Sequence, residues 1–308
     1  MLSLRDVLNR QPDALLELKR KMQETLIATG KIPLEKIGAL GEASYPENLD
    51  ETDIAITDTE LSVPISIPGF AKIKQVAIPL SSFAAYVDPH HLPAGIEPPA
   101  PHQMVSGKKI ALTFDDGPSA KVTPRILATL KKYQAKATFF VLGSEVAEHP
   151  GLVKAELDAG HQVANHSWSH PQLTKLSDRD VAEQILKTQM VVYQQTGYFP
   201  ELVRPPYGAV HKNTALAIGL PIAQWSEDTE DWKYKSGRHV TNKIVSSAYD
   251  GGMILMHDIH PTTADGLDAA LKKLKELGYQ FVTVDELLQE KPEIGHQYFD
   301  ATDERAVK

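Results

Sequence analysis

Apolar residues in the first thirty positions recur at helical spacing. Leu4, Val7, Leu8, Leu15, Leu16, Leu18, Met22, Leu26 and Ile27 stand among charged neighbours. The pattern predicts mainly helix over residues 3–29, with a second segment opening at Asp13–Ala14 after Pro12 and stopping near Gly30. From Asp50 to Val87 the period shortens. Asp53–Asp58, Leu61–Ile67 and Gln75–Leu80 are short apolar or alternating runs, as strands are, so this part reads as a small α+β unit. Prolines 89, 93, 98, 99 and 101 then exclude a central strand or a continuing helix and mark a semi-rigid linker. Beyond it, short apolar runs alternate with helical patterns. The strands expected are Ile110–Phe114, Ala137–Leu142, Gln162–Asn165, Leu202–Arg204, Pro221–Trp225, Met253–Met256 and Phe281–Val284. The helices expected between them include Val122–Tyr133, Asp178–Thr196 and Asp265–Leu277. Such alternation predicts an α/β fold with a parallel sheet, open or closed as a barrel. The expected division is 1–105, an N-terminal α+β region ending in the linker; 106–290, a catalytic domain; and 291–308, a polar peripheral tail.

Composition narrows the class. A length of 308 residues suits one large domain or two ordinary ones, and 42% hydrophobic with 23% charged residues argues against disorder. A net charge of -8 leaves no basic footprint for nucleic acid. The absence of cysteine excludes disulfides, thiolate nucleophiles and cysteine zinc sites. The N-terminus lacks a charged segment followed by an apolar one, and no run reaches transmembrane length. The chain is therefore expected to be cytoplasmic, or exported by a segment outside it.

The chemistry gathers where strands end. Ile110–Phe114 leads into Asp115 and Asp116, stopped by Gly117-Pro118. Two adjacent carboxylates at the end of an apolar strand are costly unless something positive compensates them. His166-Ser-Trp-Ser-His170 follows another strand, and Pro171 favours a loop over a helix there. Both imidazoles can reach one cation. Two imidazoles and a carboxylate with open positions describe a catalytic divalent site. Arg204-Pro-Pro-Tyr-Gly208 is a stiff turn suited to aiming a backbone N–H at an oxyanion, and Arg204 can compensate the aspartate pair. Asp228-Thr-Glu-Asp231-Trp232 and Leu255-Met-His257 complete five polar strand ends on one edge, where barrels place active sites. His90, His91 and His102, in the linker, are expected to be exposed rather than metal ligands. His260, three residues past His257, has no role in this pattern.

Thr113-Phe-Asp-Asp-Gly117, His166-Ser-Trp-Ser-His170, Arg204-Pro-Pro-Tyr-Gly208, Asp228-Thr-Glu-Asp-Trp232 and Leu255-Met-His257 resemble, in order, the five motifs of the polysaccharide deacetylase family, carbohydrate esterase family 4 (the NodB homology domain). The match covers residues from about 107 to 290. The resemblance implies a distorted (β/α) barrel and metal-dependent removal of N- or O-acetyl groups from glycans. It implies Asp116, His166 and His170 as ligands of one divalent metal, zinc first, with cobalt, manganese or nickel as alternatives. It further implies Asp115 as general base, Arg204 as its orienting partner, the Tyr207 N–H as an oxyanion donor, His257 as general acid and Asp231 as its holder. Trp232 and Leu255 would wall the acetyl pocket, with Pro206 also against the substrate at a variable position of the third motif.

The substrate expected first is peptidoglycan, acted on at N-acetylglucosamine in the cell wall outside the cell, with chitin oligosaccharides and acetylated xylan as alternatives. Two other classes compete. A non-catalytic glycan-binding module would lack Asp115 or His257, and both are present. A non-haem iron oxygenase also uses two histidines and a carboxylate, but needs neither the second aspartate nor the Arg-Pro-x-Tyr turn.

Overall fold

A computed structural model describes residues 2–8, 13–45, 49, 53–93, 95–96, 107–289 and 292–308. The strand Lys109–Asp115 is buried along its whole length and lies at the centre of a parallel sheet. On one side it pairs with Gly252–His257, in a register that sets His257 beside Asp115. On the other it pairs first with Gln280–Val282 and then with Thr138–Val141, which in turn pairs with Gln162–Asn165. Bridges from Asn165 to Val203 and from Val203 to Ile222 carry the sheet round. The strand Glu227–Asp228 flanks Gly252–His257 on the far edge.

Alternation along the strands divides the core into two layers. Ile110, Leu112 and Phe114 pack outward with residues of the helices Thr123–Tyr133, Gly237–Ser247 and Pro261–Glu276. Ala111, Ala164, Ala223, Phe140 and Met253 pack together as a second cluster. The result is a distorted (β/α) barrel.

Two of the expected strands are shorter than their apolar runs. Leu202–Arg204 contributes only the bridges at Val203, and Pro221–Trp225 only Ile222–Ala223. Backbone groups nearby are taken by a side chain instead: Arg204 Nε and Nη2 donate to Ala223 O and Gln224 O. The expected 265–277 helix begins earlier, at Pro261, with proline at the first helical position, where its missing N–H costs nothing. The tail expected to be peripheral adds two strands to the sheet. His296–Tyr298 runs parallel to Ile222–Ala223 and antiparallel to Glu304–Ala306, and Ile294, Tyr298 and Val307 are buried.

In the N-terminal part, Leu2–Ser3, Asp53–Ile56, Glu60–Pro64 and Gln75–Pro79 form an antiparallel sheet in that order, with Ala14–Ala28 and Ile37–Ala43 as the main helices. Its core is shared with the barrel, since Leu186 and Met190 of the helix Asp178–Thr196 belong to it. Lys19 is wholly buried and donates to the carbonyls of Leu216 and Ala217 at the end of the helix Lys212–Ile218. The expected boundary near residue 105, with His102, Pro98, Pro99 and Pro101, lies outside the described residues. His90 is exposed and bonds Asp88 at 2.8 Å. Among the described residues, no helix is long and apolar enough to cross a membrane.

Candidate active site

The five polar strand ends converge on one pocket of about 390 Å³. Asp115 and Asp116 leave the central strand, and Asp116 turns into the left-handed region at φ 73°. Behind it, Gly117 has no room for a Cβ, because the buried carboxyl of Asp258 lies against it. Asp258 also accepts from Thr123 Oγ1, and Thr123 Oγ1 accepts from the Ser119 N–H at 2.7 Å, so the loop after the aspartates is clamped from below.

The segment from His166 to His170 is a loop, as Pro171 led us to expect, with φ of 75° at Ser167 and 60° at His170. His166 Nδ1 donates to Arg204 O at 2.7 Å, which fixes the ring and leaves Nε2 as the free acceptor. Both His166 Nε2 and His170 Nε2 lie 3.5 Å from Asp116 Oδ1. That oxygen is buried and has no hydrogen-bond partner. Three ligand atoms from Asp116, His166 and His170 lie within 4.8 Å of one another. Burial pushes the Asp116 carboxyl up, but the closeness of His166, with His257 and His170 beyond it, outweighs this and holds the group at about 2. The donor set and its orphaned oxygen therefore suit a divalent cation.

Asp115 faces the same space from the other side. Its Oδ1 accepts from Arg204 Nη1 at 2.7 Å, and its Oδ2 lies 3.7 Å from His166 Nε2. Arg204 is 0% exposed. Its Nη1 also meets Thr113 Oγ1 at 2.8 Å, and its guanidinium lies 4.0 Å from the Phe140 ring centroid. Burial lowers the Arg204 pKa against the opposing pull of Asp115. A buried cation with its donors distributed in this way is costly to disturb.

Across the pocket, His257 Nδ1 lies 2.7 Å from Asp231 Oδ1, and the His257 N–H donates to Asp231 Oδ2 at 2.8 Å. Thr263 Oγ1 donates to the same oxygen at 2.6 Å. Burial alone would lower the His257 pKa; the bond and charge of Asp231, helped by Asp115 and Asp116, raise it to about 9. Tyr207 sits in the left-handed region at φ 63° in the turn Pro206–Gly208 and is 67% exposed. Gly208 follows at φ 64°, and a Cβ there would meet the Trp225 ring at 2.8 Å.

Trp232 and Leu255 line the pocket. Pro206 does not: it is buried, and the neighbouring Pro205 lines the pocket instead. Trp225 and Asp228 are lining residues to which the sequence reading gave no role. Asp228 Oδ2 accepts from the Trp232 indole at 3.3 Å, a contact signalled only by their spacing of four. Thr263 was also missed, since nothing local marks a threonine in the first turn of a helix as a partner of Asp231.

Known proteins resemble this chain in sequence and in fold. The family model described as polysaccharide deacetylase matches residues 102–222. A peptidoglycan-N-acetylglucosamine deacetylase of Listeria monocytogenes is 53% identical over 308 residues, covering 100% of this chain and 66% of that protein. The chain thus spans just under two thirds of the length of that relative. A peptidoglycan-N-acetylglucosamine deacetylase of Bacillus cereus is 38% identical over 192 residues, covering 60% of this chain and 70% of the relative. The solved structure of a peptidoglycan deacetylase from Bacillus subtilis superposes with a TM-score of 0.58 at 46% identity, covering 59% of this chain and 90% of that one. The order of the motifs, the barrel that brings them together and these relatives lead to one assignment: the chain belongs to the polysaccharide deacetylase family.

Proposed function

We propose that this protein is a metal-dependent hydrolase that removes the acetyl group from N-acetylglucosamine units of peptidoglycan. The observation that carries the reading is the opposition of two tuned pairs, Asp115–Arg204 and Asp231–His257, across the Asp116–His166–His170 set. The identity to relatives named as peptidoglycan deacetylases supports the substrate, and with it a place of action at the cell wall, outside the cell.

Asp116, His166 and His170 would hold one divalent cation, zinc first, with cobalt, manganese or nickel as alternatives, and its contribution is Lewis acidity toward water and the acetyl carbonyl. The chain's own groups do the rest. Asp115, held by Arg204, takes a proton from the attacking water through Oδ2 as the new C–O bond forms. The Tyr207 N–H, on its left-handed turn, donates to the oxyanion that develops on the carbonyl oxygen. His257, its Nδ1 engaged by Asp231, gives the Nε2 proton to the leaving nitrogen as the C–N bond breaks. Acetate and a free glucosamine amine are the products. Trp232, Leu255 and Pro205 would enclose the acetyl group and its sugar.

The test is acetate release from peptidoglycan, chitin oligosaccharides and acetylxylan, with and without a chelator, for the native chain and Asp115→Asn. Chelator-sensitive release, greatest on peptidoglycan and abolished in Asp115→Asn, is the expected result. Preference for one of the other polymers would move the substrate assignment to that polymer. No release from any of them by the metal-loaded protein would overturn the hydrolase.

A further inference from the structure

His260 lies outside the machinery described so far, yet its ring centroid is 5.7 Å from that of His257. Lys235 reaches it from the loop that carries Trp232, placing Nζ 3.4 Å from both ring nitrogens of His260. The lysine is exposed and, among the described residues, faces no carboxylate, whereas its neighbour Lys233 is paired with Glu230 at 3.1 Å. His260 is half-buried; burial, with Lys235 and His257 beside it, keeps its pKa below the ordinary histidine value. The neutral ring can accept from the ammonium at one nitrogen and offer an N–H at the other, and the ammonium is the uncompensated charge. In a chain with a net charge of -8, a bare cation beside the acid end of a pocket built from aspartates stands against the overall field.

We propose that Lys235 and His260 form a carboxylate-reading subsite, holding an anionic substituent on the sugar next to the one that loses its acetyl group. This rests on the function proposed above and narrows it. The leaving nitrogen must lie at His257, so a group held by Lys235 and His260 belongs to an adjoining part of the strand. Peptidoglycan strands carry carboxylates on the peptides joined to the lactyl groups of alternate sugars, and on any lactyl group that bears no peptide; chitin oligosaccharides carry none. An ammonium recognises such a group as a point charge, and the imidazole N–H adds direction.

The experiment compares kcat/KM on soluble peptidoglycan strands with that on chitin oligosaccharides of equal length. It is run at low and high salt, for the native protein, Lys235→Gln, Lys235→Arg and His260→Asn. The expected result is a fall of about three- to fivefold in the peptidoglycan-to-chitin ratio for Lys235→Gln, the range of an exposed ion pair. That fall should reside in KM, be restored by Lys235→Arg and be reproduced in the native protein by high salt. His260→Asn should lower the ratio in the same direction. An unchanged ratio, or equal losses on both substrates, would overturn the subsite. Titration of the native protein and Lys235→Gln with the same strands, read as binding alone, separates the two claims. If the native protein releases no acetate, the hydrolase falls, while equal affinity of the two proteins for the strands would sink the subsite independently.

Discussion

His257 and Asp231 are joined twice, through the ring Nδ1 at 2.7 Å and through the backbone N–H at 2.8 Å. The double contact fixes both where the imidazole points and which proton it holds. With its pKa raised to about 9, the ring stays protonated at neutral pH and loses the proton as pH rises through that value. Activity should therefore decline on an alkaline limb near pH 9. In Asp231→Asn that limb should move down toward the ordinary histidine range, and the rate at neutral pH should fall by about 100-fold. A pH profile of kcat/KM for the two proteins checks this, and an unmoved limb would remove His257 from the role of acid.

Arg204 is expected to be more costly to lose for the fold than for binding. It is wholly buried, and Arg204→Leu would leave the Asp115 carboxylate and the carbonyls of Ala223 and Gln224 without their donor. The expected loss is about 3–5 kcal/mol of stability. Arg204→Lys should recover part of it, since one ammonium can meet Asp115 but not the carbonyls as well. Urea denaturation of the three proteins measures the difference.

Asp258 gives a pH signature of opposite sign to an ion-paired carboxylate. Burial raises its pKa to about 7, with the charges of Asp116 and Asp115 adding to the effect. Above the ordinary carboxylate range the unfolded chain ionises while the folded chain stays neutral. The folded state thus loses stability between about pH 4 and pH 7, and the penalty is constant above that. Asp258→Asn avoids the penalty and keeps an acceptor for Thr123. Its melting temperature should match that of the native protein near pH 4 and exceed it at pH 8. Parallel melting curves across that range would argue against a neutral Asp258.

The sequence made some parts of this molecule plain and left others hidden, for physical reasons. The strand around Ile110–Phe114 declared itself because both faces are buried, so nearly every position is apolar. Asp115, Asp116, His166, His170, Arg204 and His257 stood out as polar residues at the ends of such runs. The strand His296–Tyr298 was hidden, because it lies in a polar tail and draws its order from Ile222–Ala223, more than seventy residues earlier in the chain. Thr263 and Trp225 were hidden for a related reason. Each acts through a residue distant in sequence, Asp231 in one case and Gly208 in the other, and no local period records such a meeting. Pro206 shows the limit within a motif: the sequence marks the turn, but not which of its two prolines faces the pocket.

Removal of the cation should register in the fold as well as in the activity. Asp116 Oδ1 is buried without a partner, and both His166 and His170 direct Nε2 toward it. A cation bound there stabilises the folded state alone, by about 2.7 kcal/mol at a free concentration 100 times its dissociation constant. Chelation should therefore lower the melting temperature and abolish acetate release together, and zinc should restore both. Asp116→Ala should melt at the same temperature with and without chelator, because two imidazoles alone are a poor site. Asp115→Asn, which keeps all three ligands, should lose activity yet retain the chelator-sensitive shift. Calorimetry on the native protein and these two variants distinguishes a ligand from a base at adjacent positions, and a chelator-insensitive Asp115→Asn would exchange the roles assigned to the two aspartates.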